Sequence, residues 1–261
     1  MPLFSVISNS LITNVSNTKI PCIQLEIRDA YTDEIILPSS EHDNYLIYSF
    51  TKEKQSFYLN KFVQVNLILV AGGGSGGSRR SETSITETTN CSGFPGGGAG
   101  EVVIFPKYQL SPQTIYLVSV GKGGEHMANG ECTTIQSSLN PLENRIAVGG
   151  GTGGSYTLSS NGQSGGSGGG AVPSFSYQSM PGNANLSYEP HSTSFGNPGG
   201  RHLSSVTQPK GPGGGGAFSE GESSLSGKGG IGIVWVDGKT YGGGGSGGQY
   251  IPPNITYNGD H

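Results

Sequence analysis

The residues in this chain that could do chemistry are few, and most sit beside glycine. Gly72-x-Gly74-x-x-Gly77 follows an apolar run and matches the dinucleotide fingerprint letter for letter. That chemistry needs a helix N-terminus on the pyrophosphate and an acidic residue about twenty positions on. The sequence continues Ser-Arg-Arg-Ser-Glu-Thr-Ser-Ile-Thr over 78–86, with β-branched residues and no apolar helical face, so no nucleotide is expected. Gly121-Lys122 and Gly227-Lys228 lack the first glycine of a phosphate loop. Gly165-x-Ser167-x-Gly169 satisfies the nucleophile-elbow pattern, and Ser246 stands in a similar tract. Neither precedes a helix, and both read as structural. His42, His126, His191, His202 and His261 lie in separate polar loops without HxxxH or HExxH spacing, which argues against zinc. Cys22, Cys91 and Cys132 are odd in number and form no CxxC, the pattern of reduced thiols and not of a disulfide framework. No catalytic residue, cofactor or metal is assigned.

Composition narrows the classes further. Glycine supplies 47 of 261 residues, far above the average of roughly 7%. Charged residues are 12% and hydrophobic residues 32%; a disordered chain combines low hydrophobicity with high charge, and this one is low in both. The net charge is −4 and Arg79-Arg80 is the longest basic run, so no nucleic-acid partner is expected. The apolar run at 67–71 is far short of the roughly 20 residues a membrane helix requires, so no membrane span is expected. The N-terminal MPLFSVISNSLITNVSNTK lacks a basic start and its apolar residues are interrupted, which predicts synthesis in the cytoplasm without a signal peptide. The sequons at Asn14, Asn90, Asn185 and Asn254 are read as chance matches in an Asn- and Ser-rich chain.

The elements that would carry any site are strands. Ile23, Leu25 and Ile27 alternate with polar residues, and Phe4, Val6 and Ile7 suggest another strand, with a polar loop at 38–44. From Tyr45 the pattern sharpens, with strands expected at 45–50, 56–59, 62–71, 101–105, 114–120, 132–136 and 145–148. The third of these is apolar on both faces toward its end, which predicts a central position. Strands at 231–236 and 239–241 flank Asp237-Gly238, a strong hairpin signal. Trp235 reads as core. No amphipathic helix is evident.

Between and after the strands lie glycine tracts at 72–77, 96–100, 121–124, 149–154, 165–170, 211–216, 227–232 and 242–248. Such tracts read by default as flexible linkers. Their similar lengths, the strands at their ends and the aromatic residues in the intervening loops favour ordered segments in polyproline-II geometry, three residues per turn. Six residues would then span roughly 19 Å. Neighbouring backbones can bond sideways only where side chains are absent, which makes Gly72, Gly73, Gly74, Gly149, Gly150, Gly168, Gly214 and Gly243 candidate structural positions. Each ordered glycine costs roughly 0.5–1 kcal/mol more than alanine, and a backbone hydrogen bond returns about 0.5–1.5 kcal/mol. A bundle therefore requires nearly every backbone group to pair. Collagen is excluded because no strict G-X-Y period exists.

YLIYSF and SFYL, then LILVAGGGSGG, GGGAGEV, YLVSVGKGG and GKGGIGIVWVDGKTYGGGGSGG follow one another between about 45 and 248. In these motifs the chain resembles the glycine-rich domains of large DNA virus and bacteriophage structural proteins, a theme shared by the glycine-rich extracellular region of anaplastic lymphoma kinase. The resemblance implies an all-β fold: a jelly-roll or tumour-necrosis-factor-like β-sandwich with an attached or inserted bundle of polyglycine-II segments. The tracts here are shorter and more interrupted than in many relatives. The Cys-rich character of a receptor is missing, which favours the virion branch.

The expected organisation is an N-terminal β segment or docking arm at 1–44, a mainly β-sandwich part at 45–148, a glycine bundle with returning strands at 149–248, and a tail at 249–261. The expected function is that of a non-enzymatic structural protein of a virion, in a minor capsid, spike or fibre. Its partners would be other virion proteins or further copies of itself. The rival reading is an adhesin tip that recognises a host surface glycan or protein. For that reading Phe175, Tyr177, Tyr188, His191 and Phe195, in a Ser-, Asn- and Pro-rich loop, form the candidate surface.

Overall fold

The structure is a computed structural model that describes residues 3–9, 26–42, 45–78, 93–155, 161–172, 179–203 and 210–248. The expected alternation at Ile23 and Leu25 lies outside these residues, as do Cys22, Cys91 and the tail at 249–261. The protein is all-β, and the described residues carry one short 3-10 turn, Pro141–Glu143. Its strands are β1 (Leu3–Asn9), β2 (Ile27–Asp29), β3 (Ser40–His42), β4 (Tyr45–Phe50), β5 (Lys54–Leu59), β6 (Val63–Val70), β7 (Val102–Leu110), β8 (Tyr116–Ser119), β9 (Thr133–Ser137), β10 (Arg145–Ala147), β11 (Thr193–Phe195), β12 (Ile233–Val234) and β13 (Thr240–Tyr241).

Two antiparallel sheets result. One has the order β11-β7-β6-β1-β4-β3 and the other β10-β9-β8-β5-β2, with β12 and β13 as a separate hairpin. β1 is a central strand, paired with β4 on one side and β6 on the other. One core forms from both sheets: Tyr48, Phe50, Leu67, Leu69, Val103 and Phe105 come from the first, and Phe57, Leu59, Tyr116, Val118 and Ile135 from the second. The rings of Phe50 and Phe57 stack between sheets at 5.0 Å, and Phe57 continues onto Tyr116 at 5.3 Å. Each such side chain, fully buried, contributes about 1.5–3 kcal/mol.

The two-sided apolarity of β6 has a direct cause. Val65, Leu67 and Leu69 point into the inter-sheet core, while Ile68 and Val70 point the other way into a second cluster with Ile47, Val102, Ala217, Ile233, Trp235 and Tyr241. That cluster is closed by the β12–β13 hairpin. Its loop keeps Gly238 at φ +75°, and Asp237 accepts from the Tyr241 hydroxyl at 2.7 Å. Burial of Tyr241, and then that hydrogen bond, push its phenol pKa up.

Several strands differ from the sequence expectation: β5 starts early, at Lys54, β8 and β12 are shorter than the expected 114–120 and 231–236, and three changes are larger. β7 runs past Phe105 to Leu110 because Pro106 and Lys107 together oppose Asn66, a bulge in which Lys107 takes φ +62°. β3 forms within the expected polar loop by pairing with β4, and β11 forms by pairing with β7. Both are three-residue edge strands held by backbone bonding, which polar sequences permit.

Candidate functional site

The glycine tracts leave from one end of both sheets. Residues 71–78 follow β6, 93–100 lead into β7, 121–124 follow β8, and 148–155 follow β10. Their backbone bonding repeats every third residue. Gly72 and Ser75 donate to the carbonyls of Glu131 and Ala128 (3.0 and 3.1 Å), and Gly74 and Gly77 to those of Gly98 and Pro95 (2.8 Å each). The carbonyls of Gly72 and Ser75 accept from Gly150 and Gly153 (2.8 and 2.9 Å). Successive residues thus address different neighbours.

The segment 95–100 lies at the centre. Gly96 and Ala99 donate to Pro212 and Gly215 (2.9 Å each) and accept from Gly170 and Ser167 (2.9 and 2.8 Å). Gly98 donates to Gly151 at 2.8 Å, and Gly97 accepts from Gly245 at 2.9 Å. The 212–215 segment ascends with 96–99, whereas 128–131 descends against 72–75, so same-direction and opposed neighbours coexist. The array draws on tracts from both sides of the 148/149 boundary.

This bonding answers the fingerprint at Gly72, Gly74 and Gly77. The N–H groups that would cradle a phosphate donate to carbonyls of Glu131, Gly98 and Pro95 instead. Ser167 is fully buried within the array. Lys122 pairs with Glu53 at 3.0 Å, a contact that raises the lysine pKa and lowers that of the carboxylate. Cys132 is exposed and free. Among the described residues no group of three or more His, Cys, Asp or Glu side chains could hold a metal, and no helix is long and apolar enough to cross a membrane.

Most of the candidate structural glycines are in close contact. A Cβ at Gly72 would overlap the Lys122 carbonyl; at Gly74, that of Gly151; at Gly149, that of Gly130; at Gly150, that of Gly98. At Gly168 it would strike the Gly182 carbonyl, and at Gly214 that of Gly97. Two positions differ. The nearest atom to a Cβ at Gly73 is the Gly98 carbonyl oxygen at 3.4 Å, and at Gly243 nothing lies within 4 Å. Both belong to tracts with an outward side, so no neighbouring backbone demands glycine there.

Of the loop candidates, Phe175 and Tyr177 lie outside the described residues. Tyr188 is 81% exposed and His191 is exposed as well, with φ of +51° and +57°. Phe195 stands apart from them. It sits in β11 opposite Val102 and packs half-buried against the second cluster, where it serves the core.

The residues that position this loop are charged, and no motif announced them. Glu101 is fully buried, accepts from the Val148 N–H at 2.8 Å, and accepts from the Ser187 N–H and hydroxyl at 2.9 and 3.0 Å. Glu189 accepts from the Ile146 N–H at 3.0 Å and lies 4.0 Å from Arg145. Arg145 in turn covers the rings of Phe105 and Tyr108 at 5.8 and 5.6 Å. Tyr108 is buried, which raises its pKa, and it donates to the Glu143 carbonyl at 2.5 Å. The available sequence signal for Glu101 was a lone charge between GGGAG and the apolar VVIF.

These features define an all-β protein whose strand ends feed one internally bonded glycine array. The family model of the glycine-rich domain matches residues 54–260, and the chain belongs to that family. No curated protein and no solved structure matches it.

Proposed function

We propose that the glycine segments run as polyglycine-II helices on a jelly-roll-like sandwich, and that the chain is a non-enzymatic structural component of a virion. The observation that carries this reading is the period-three bonding: a helix with three residues per turn presents its N–H and C=O groups in three directions, and segment 95–100 uses them toward neighbours on every side. Backbone pairing of this kind supplies stiffness without side chains, which suits a minor capsid, spike or fibre element. The motif resemblance to virion proteins supports the same role, and the family match supports the glycine-rich domain itself. Mass spectrometry of purified particles tests it. Recovery of the chain in stoichiometric amount supports the role, and its absence from particles overturns it.

A second reading, a receptor-binding tip, is favoured by one feature. Tyr188 is exposed on a loop fastened by the Glu101 and Glu189 carboxylates, so an aromatic ring is presented from a fixed backbone. On this reading Tyr188→Ala abolishes attachment to host cells while particles still assemble; unchanged attachment overturns it.

A further inference from the structure

A cleft of 380 Å³ opens beside the array, lined among others by Met127, Asn129, Thr152, Ser155, Asn161 and Gln163. Its size lies within the range of about 300–1,000 Å³ typical of small-molecule sites. Among the described residues none that lines it is ionisable. The wall is made of carboxamides and hydroxyls on a fixed frame. Asn129 is held at both ends: its oxygen accepts from the Thr152 N–H at 2.9 Å and its amide donates to the Ser164 carbonyl at 3.3 Å. The Thr152 hydroxyl donates to the Ser75 carbonyl at 3.0 Å. Among the described residues the Gln163 carboxamide makes one long bond, 3.4 Å to the Asn161 carbonyl, which lets it turn toward a ligand. Met127 is kept in place at φ +60°, with the Ser78 hydroxyl 3.2 Å from its sulfur.

We infer that this cleft binds a neutral saccharide of one or two rings. The Gln163 carboxamide offers a donor and an acceptor side by side, which matches a pair of neighbouring sugar hydroxyls, while Asn129 and Asn161 already spend their oxygens on the Thr152 and Met180 N–H groups. The thioether of Met127 supplies a polarizable apolar wall for the C–H face of the ring. An extended peptide is a poorer fit because the backbone groups of the wall are already engaged: Gln163 N–H bonds the Thr152 carbonyl at 2.9 Å, and Gly153 N–H bonds that of Ser75 at 2.9 Å. Phosphorylated or carboxylated ligands would find no cation among the described lining residues. The inference goes beyond both functional readings and uses side chains distinct from Tyr188.

Saturation-transfer NMR on the full chain tests it, with glucose, galactose, mannose, N-acetylglucosamine and their disaccharides as probes and sialic acid and glucose 6-phosphate as charged controls. The expected result is transfer to at least one neutral sugar, with the amides of Asn129, Thr152 and Gln163 shifting on titration. Gln163→Ala weakens that binding about five- to tenfold, the loss of one or two hydrogen bonds. Met127→Ala weakens it as well, and Tyr188→Ala leaves it unchanged. Matching amide exchange in the variants and the parent establishes that the fold is retained. No transfer from any neutral sugar, binding confined to the charged controls, or neutral-sugar binding untouched by both cleft variants overturns the inference.

Discussion

Gly168→Ala isolates what glycine does in the array. The backbone angle at Gly168 lies outside the left-handed region, so an L residue is conformationally acceptable and only space opposes it. The added methyl would overlap the Gly182 carbonyl. Gly168 cannot step aside, because its N–H bonds the Asn197 carbonyl at 3.0 Å and its carbonyl accepts from Gly215 at 2.8 Å. Overpacking of this kind costs about 1–3 kcal/mol. At roughly 2–4 °C per kcal/mol for a chain near this size, Tm falls by roughly 2–12 °C. Gly243→Ala is the matched control: its Cβ meets nothing within 4 Å. That change reduces unfolded-state entropy alone and stabilises by about 0.4–1 kcal/mol. Differential scanning calorimetry on both variants, with amide exchange across 165–170 and 211–216, reads the pair. Equal Tm values for the two variants, or fast exchange throughout the tracts of the parent, would refute close packing as the reason for glycine.

Further outcomes follow from single side chains. Glu101→Ala leaves three donors, the Val148 N–H and the N–H and hydroxyl of Ser187, without their acceptor. At about 1–3 kcal/mol for each stranded donor, urea unfolding should show a loss of at least about 3 kcal/mol, with new proteolysis in 179–203. Trp235→Ala removes a buried indole and costs about 3–5 kcal/mol. Trp235→Phe costs much less, because the indole N–H it deletes has no hydrogen-bond partner among the described residues; paired denaturation curves check this. Burial raises the pKa of Tyr108, Tyr116 and Tyr241. The folded state then holds protons that the unfolded state releases near pH ~10. Their contribution is intact below that pH and is lost as pH rises through the folded values. Tyrosinate absorbance from these three should appear together with alkaline unfolding, and early titration of any one before unfolding would contradict its burial.

Much of the fold was legible where one local pattern sufficed. Tyr45–Phe50 is a strand with the expected bounds because alternating aromatic and β-branched residues carry the signal themselves. The hairpin around Asp237-Gly238 was legible from turn chemistry, and the central position of β6 from its two apolar faces. The edge strands Ser40–His42 and Thr193–Phe195 were not legible, since a partner strand makes them and their own composition does not. Phe195 reads in sequence as a loop aromatic because nothing local reveals that Val102 lies opposite. Among the glycines, sequence located the tracts. Which residues face another backbone, as Gly168 does, and which face outward, as Gly243 does, depends on segments far away in the chain.

That distance bears on how the protein is made. Segment 95–100 bonds partners as early as Gly74 and as late as Gly245, so its bonding is incomplete until nearly the whole array has left the ribosome. Two-strand pairings such as β6 with β7 can form during synthesis, but the glycine segments must wait with their backbones hydrated. Order in the array therefore arrives as a late, collective event, slow in the manner of folds dominated by distant contacts.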